Sequence, residues 1–178
     1  IYSMCNGHVT YVGDTVFVSD VMEVENVDTS TGNIEYEGNV QVNGNVCSNF
    51  SIKAKGNVEV RGVVEGASIE AGGSITIALG MNGMGKGSLK CDGNVIAKFI
   101  ENAKVEAAGY VECGSIMHSE VVAGTEVHVS GQKAFISGGK GTDTSKIETK
   151  ILGSDMGTGT VVEIGLSALI RKRYREME

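Results

Sequence analysis

The sequence predicts an all-β fold: a single-stranded parallel β-helix, or β-solenoid, with about three short strands in each turn of 16–20 residues. The first observation behind this is a set of apolar columns. Val42, Val60, Ile77, Ala97, Cys113 and Val129 form one column, with successive members 18, 17, 20, 16 and 16 residues apart. Ile52, Ile69, Leu89, Val105 and Val121 form a second, and Ala54, Ala71, Cys91, Ala107 and Ala123 a third. A period in this range marks a chain whose repeats bury their apolar sides only by stacking on one another. The second observation is alternation within each repeat, as in Val58-Glu59-Val60 and Ile75-Thr76-Ile77. A period of two belongs to a half-buried strand. The third is composition: 26 glycines, no proline, no tryptophan and 5% aromatics suit many tight corners around a narrow aliphatic interior.

Taken in order, residues 1–30 read as entry strands and an N-terminal cap. His8-Val9-Thr10-Tyr11-Val12 is a strand, Gly13-Asp14 a turn, and Val16 to Val27 continues extended. The regular coil is expected over residues 31–165, opening at Thr31-Gly32-Asn33-Ile34. In each turn the first strand is a couple such as Val58/Val60. The second carries one large aliphatic, giving the column Val46, Val64, Met81, Ile100 and Ile116, and the third is a couple such as Ile69/Ala71. Glycine or asparagine sits at the corners, where a positive φ or a side chain bonded to backbone is needed. The insertion Asn82-Gly83-Met84-Gly85-Lys86-Gly87 lengthens one turn. The pattern loosens through Gly141-Thr142-Asp143-Thr144, then recovers at Ile147 and at Val161-Val162. Residues 166–178 are rich in helix formers and free of glycine, with Leu166, Ile170, Tyr174 and Met177 on one side. They read as the start of a C-terminal α-helix, leading either into a longer coiled coil or across the open end of the solenoid as a cap.

The outward residues of the third strand, Glu35, Lys53, Glu70, Lys90 and Glu106, set acid against base at each step. Exposed pairs of this kind contribute at most about 1 kcal/mol each, and their better use is to penalise a slipped register. A net charge of −7 and a pI near 5.0 argue against general binding to nucleic acid or anionic membrane. No apolar run approaches the ~18–20 residues that span a bilayer, and the opening residues do not read as a signal peptide. Cys91 and Cys113 fall in inward columns as small core residues. Cys47 faces outward and Cys5 lies in the irregular N-terminal stretch, so a reduced, cytoplasmic setting is expected.

Several segments resemble the bacterial flagellar assembly protein A family. They are Thr31-Gly32-Asn33-Ile34-Glu35-Tyr36-Glu37-Gly38-Asn39-Val40, Gly62-Val63-Val64-Glu65-Gly66-Ala67, the insertion Asn82–Gly87, and Ala97-Lys98-Phe99-Ile100-Glu101-Asn102-Ala103. Ile116-Met117-His118-Ser119 and Ile151-Leu152-Gly153-Ser154-Asp155-Met156-Gly157-Thr158 complete the order, so the match runs from about residue 8 to 165. Lys133-Ala134-Phe135-Ile136 departs from it, with alanine where a glycine is expected at position 134. The resemblance implies a right-handed coil, a further domain before it and a coiled coil after it. It also implies a cytoplasmic protein linked to flagellar assembly or placement, with no catalytic residues to carry over.

His8, His118 and His128 are far apart, and none has a second histidine or a thiolate near it in the stacked register that would complete a metal site. His128 stands one turn above Glu112. No catalytic, cofactor or metal residues are therefore assigned, and no cofactor is expected. Lys86, Asn102 and His118 occupy the same side of successive turns and form the candidate interaction surface. Three function classes follow. The favoured one is a non-catalytic scaffold or interaction rod with protein partners, joined to other copies through its C-terminal helix. The second is a polymer-forming solenoid like the bactofilins. The third is a β-helix enzyme, disfavoured because the aspartates never cluster and the spacings break the strict sixes of hexapeptide acyltransferases. The columns carry a direct test. Ile77→Asp would place an unpaired charge in the closed interior and is expected to abolish cooperative melting by circular dichroism. An unchanged melting curve would overturn the column assignment.

Overall fold

The computed structural model describes residues 8–143, 146–154 and 157–165, and shows an all-β parallel solenoid of about eight turns. One face is an eight-stranded parallel sheet. It runs from Val21–Val24 through Asn39–Val42, Val58–Val60, Ile75–Ile77, Val95–Ala97, Val111–Cys113 and Glu126–Val129 to Lys146–Glu148. The facing sheet climbs from Ile34–Tyr36 through Ser51–Ala54, Ser68–Ala71, Gly80–Cys91, Ile100–Ala107, Ser115–Ala123 and Phe135–Asp143 to Ile151–Leu152. Thr160–Ile164 also pairs with Phe135–Asp143, and Val63–Glu65 with Gly80–Cys91. The parallel ladders begin at Val21, inside the stretch read above as entry strands. Ahead of them, His8–Val12 and Thr15–Ser19 form a separate antiparallel hairpin around Gly13. The Tyr36 hydroxyl holds the hairpin's exit by donating to the Ser19 carbonyl at 3.2 Å. Residues 166–178, where the sequence predicts a helix, lie outside the described residues.

The apolar columns are the ladders. Val42 pairs with Val60, Val60 with Ile77, Ile77 with Ala97, Ala97 with Cys113, and Cys113 with Val129. Ile52, Ile69, Leu89, Val105 and Val121 stack likewise, as do the alanine and Cys91 positions beside them. All these side chains are buried. At about 1.5–3 kcal/mol for each aliphatic taken from water, this stacked core is the main favourable contribution to folding.

Two features differ from the sequence expectation. The second and third strands of a turn are not always separate: Ile100–Ala107 and Ser115–Ala123 each run through the corner as one bent strand. The bend is made by a single left-handed residue, Asn102 (φ 48°) or His118 (φ 47°). Asn49 (φ 71°), Gly66 (φ 48°) and Gly138 (φ 70°) do the same work at the same corner of other turns. One such residue turns the chain without interrupting the interstrand bonds on either side. Second, the loosening after Gly139 does not break the coil, since Phe135–Asp143 stays in register with Val121 opposite Gly141 and Ala123 opposite Asp143. Backbone pairing needs no apolar side chain. Gly141 leaves a gap in its column, lined by Ile116, Val121, Ile136 and Ile147. Ala134, where a glycine was expected, is fully buried.

The remaining corners obey a different rule. Gly56, Gly73, Gly93 and Gly109 do not have positive φ, so conformational freedom is not why they are glycine. Asn39 Oδ1 accepts the Asn57 N–H of the next turn at 2.8 Å, Asn57 Oδ1 accepts that of Ser74 at 2.8 Å, and Asn94 Oδ1 accepts that of Tyr110 at 3.0 Å. Ser74 Oγ fills the remaining step, accepting from Asn94 at 3.1 Å. The amide oxygen passes where the next turn's glycine would carry its Cβ: a Cβ on Gly73 would lie 2.2 Å from Asn57 Oδ1. A second ladder of the same design joins Asn26 to Asn45 and Asn45 to Val63, each at 2.8 Å, beside Gly44 and Gly62.

The ladder predicts non-additive mutations. Asn57→Ala is expected to cost about 1 kcal/mol through the lost acceptor, and Gly73→Ala about 2 kcal/mol through the clash. In the double variant the clash partner is gone, so denaturant melts should give a total about 1 kcal/mol below the sum. Strict additivity would mean that the clash is not with the asparagine side chain.

Candidate functional site

The left-handed corner column is where the coil departs most from plain repetition. Pairing of Glu101 with Met117, and of Lys104 with Glu120, places Asn102 directly below His118. Both need αL backbone, which asparagine and histidine tolerate better than most side chains. Above His118 the column continues with Gly138, where a Cβ would lie 2.6 Å from His118 Nδ1. Glycine there gives the imidazole its room.

Below Asn102 sits the insertion. It lies within the strand Gly80–Cys91, and the register to the next turn shifts between Asn82 and Gly87. Asn82 Oδ1 accepts the Met84 N–H at 3.1 Å, and Met84 (φ 52°) and Gly85 (φ 76°) are both left-handed. This conformation is costly for methionine, yet it holds a side chain that is 59% exposed. Lys86 then reaches back down the column and donates to Asn49 Oδ1 at 2.7 Å. Gly66 leaves space for that path: a Cβ there would meet Lys86 Cε at 2.9 Å.

Lys86, Asn102 and His118 therefore line one shallow groove, together with Ser88, Lys104 and Glu120. Lys104 lies 3.5 Å from Glu106 and 3.9 Å from Glu120. Asn102 Nδ2 donates to Glu101 Oε1 at 3.3 Å. Ser119 underpins the corner: it is 2% exposed, its Oγ donates to the Met117 carbonyl at 2.7 Å, and it accepts the Ala103 N–H at 3.2 Å. The sequence reading missed Ser119, Lys104 and Glu120. The last two were legible as an outward acid–base pair one turn apart. Ser119 belongs to a column of small residues, Gly87, Ala103, Ser119 and Gly139, that the three large columns overshadowed.

His128 lies in the opposite sheet between Glu112 and Glu148, with Nε2 3.9 Å from Glu148 Oε2. His8 is in the N-terminal hairpin. Among the described residues no three His, Cys, Asp or Glu side chains converge as a metal site would require. On the charge column, Lys53 Nζ lies 3.7 Å from Glu70 Oε2, both side chains more than half exposed. Cys91 and Cys113 are buried, and Cys47 is half-buried.

A family model described as the Flagellar Assembly Protein A β-solenoid domain matches residues 20–178. The chain belongs to this family. The match opens where the parallel ladders open, next to Val21. No curated protein and no solved structure matches the chain. No helix among the described residues is long and apolar enough to cross a membrane.

The buried thiols set a pH dependence. Burial pushes Cys91 up from 9.0 to about 11, and Cys113 from 9.0 to about 12. A raised acid stays neutral in the fold while the unfolded chain ionises. The stabilisation is thus complete below pH 9 and is lost as pH climbs towards 11–12. Near pH 10.5 each thiol is expected to lower stability by about 2 kcal/mol relative to neutral pH. Cys91→Ala restores the residue found elsewhere in its column and should flatten that decline in urea melts between pH 8 and 10.5. A decline as steep as in the parent would show that the thiol is not desolvated.

Proposed function

We propose that this chain is a non-catalytic cytoplasmic scaffold, a rigid interaction rod serving flagellar assembly or placement through protein partners. Family membership supports the flagellar setting. What carries the rod reading is the Lys86–Asn102–His118 groove, where cationic side chains and strained backbone stand, next to the exposed Met84, on an otherwise regular coil. A continuous aliphatic core holds these groups in fixed register, so they meet a partner with little ordering cost. Right-handed winding is taken from the family, and a homo-oligomer joined through the helix that the sequence predicts over residues 166–178 completes this reading.

A second reading, a bactofilin-like polymer, draws on the exposed apolar residues Ile151, Leu152, Val161 and Ile164 at the C-terminal end of the coil. Coils stacking end to end would bury them. Light scattering over a concentration series separates the two, since a polymer grows without limit and a rod keeps a discrete mass.

The groove is tested in the bacterium by Lys86→Glu combined with His118→Asn, which keeps a residue tolerant of αL. Melting is expected to stay within about 1 kcal/mol of the parent, while flagellar number or position, counted by electron microscopy, becomes abnormal. Normal flagellation with the altered protein at parental abundance would sink this assignment.

A further inference from the structure

The face made by the second strand of each turn carries an apolar stripe outside the groove. Val63, Gly80, Phe99, Ser115, Phe135 and Ile151 stand one above another as its outward column, each directly before a member of the inward column of Met81 and Ile100. Phe99 also covers the turn below it, where a Cβ on Gly80 would lie 2.5 Å from Phe99 Cδ1. Val63, Phe99 and Phe135 are half-buried, Ile151 is 56% exposed, and Leu79 beside Gly80 is 41% exposed. An apolar line rimmed by charge marks an interaction surface.

The rims decide what covers it. Before the stripe, at the corner from the first strand, stand Arg61 and Lys98. After it, in the next outward column, stand Glu65 and Glu101. Lys98 and Glu65 are exposed and form no ion pair among the described residues. Arg61 leans on Glu59 at 3.7 Å with both side chains more than half exposed, a contact that contributes little. One rim is basic and the other acidic over the same turns.

A two-fold axis along the stripe, parallel to the coil, exchanges the rims. It sets Arg61 against Glu65, and Lys98 against Glu101, of a second copy at the same level, and lays each stripe residue on its own counterpart. Met117, half-buried in the column of Glu101, then faces Gly114 of the second copy, where no side chain stands in its way. Antiparallel coils would bring basic rim onto basic rim. In the lowest turn Glu25 and Asp28 put acid on both sides of the stripe, so the contact begins above it.

We propose that this face pairs with the same face of a second copy, the two coils lying side by side and parallel. Five steps of ~4.8 Å make the contact about 24 Å long. Its narrow width keeps it below the ~1,200 Å² at which stable interfaces begin, so the pairing is reversible and depends on concentration. It needs neither the groove nor any contact between C-terminal segments.

Sedimentation equilibrium of the full chain tests the pairing. Arg61→Glu with Lys98→Glu, and separately Glu65→Lys with Glu101→Lys, should each weaken self-association by at least ~10-fold, since both rims then carry one sign. An equimolar mixture of the two variants should return to within ~3-fold of the parent, because every acidic rim again meets a basic one. The second variant reduces the chain's net negative charge, so general repulsion alone would strengthen its association instead. Lys53→Glu with Lys90→Glu, the same change of charge as the first variant but on the third-strand face, should leave association unaltered. A parent that stays monomeric, or a mass that no variant changes, would overturn the pairing. So would tighter association of the second variant, or a mixture no better than its components.

Discussion

Stacking in register is the constraint on which this molecule rests, and the corner amides enforce it. Each asparagine of the Asn39–Asn57 ladder hands its oxygen to the backbone of the turn above, and each neighbouring glycine leaves that oxygen its space. Because the contact is specific to one residue pair per step, a turn cannot slide by a residue without losing it. The aliphatic columns add most of the free energy and already forbid a one-residue slip, which would turn a whole column outward; a two-residue slip restacks valine on valine, and the amide contacts are what reject it. The exposed charge column adds less, with Lys53 and Glu70 both more than half in water.

Much of this was legible in the sequence because parallel stacking writes itself as a period. Every step of the column from Val42 to Val129 is a ladder pair. The corners were harder, because two physical demands select similar residues. Gly73 is glycine for lack of space alone, whereas Gly66 and Gly138 combine left-handed backbone with a neighbour that leaves no room for a Cβ. Sequence alone does not separate clash from φ. The persistence of Phe135–Asp143 escaped for a related reason: backbone hydrogen bonds hold that strand in place even where Gly141 contributes no side chain to the column.

At the groove, register alone was enough to set His118 above Asn102. It was not enough to find the contact of Lys86 with Asn49, because the insertion folds back over Gly66 to a turn its position in the count does not suggest. Ser119 was hidden for the opposite reason. It takes a small residue's place in a buried column, and only its two hydrogen bonds reveal that it braces the corner from inside.

The left-handed corner also limits what this surface can become. Asn49, Gly66, Asn102, His118 and Gly138 show the short alphabet that such backbone accepts without strain. Any specificity written along that edge must be spelled in small polar residues, glycine and histidine. The loop Asn82–Gly87 widens that alphabet in this chain, bringing a lysine to the ridge and a methionine that itself takes left-handed backbone (φ 52°). Diversification along this ridge should therefore proceed by changes in loop length more than by point substitution.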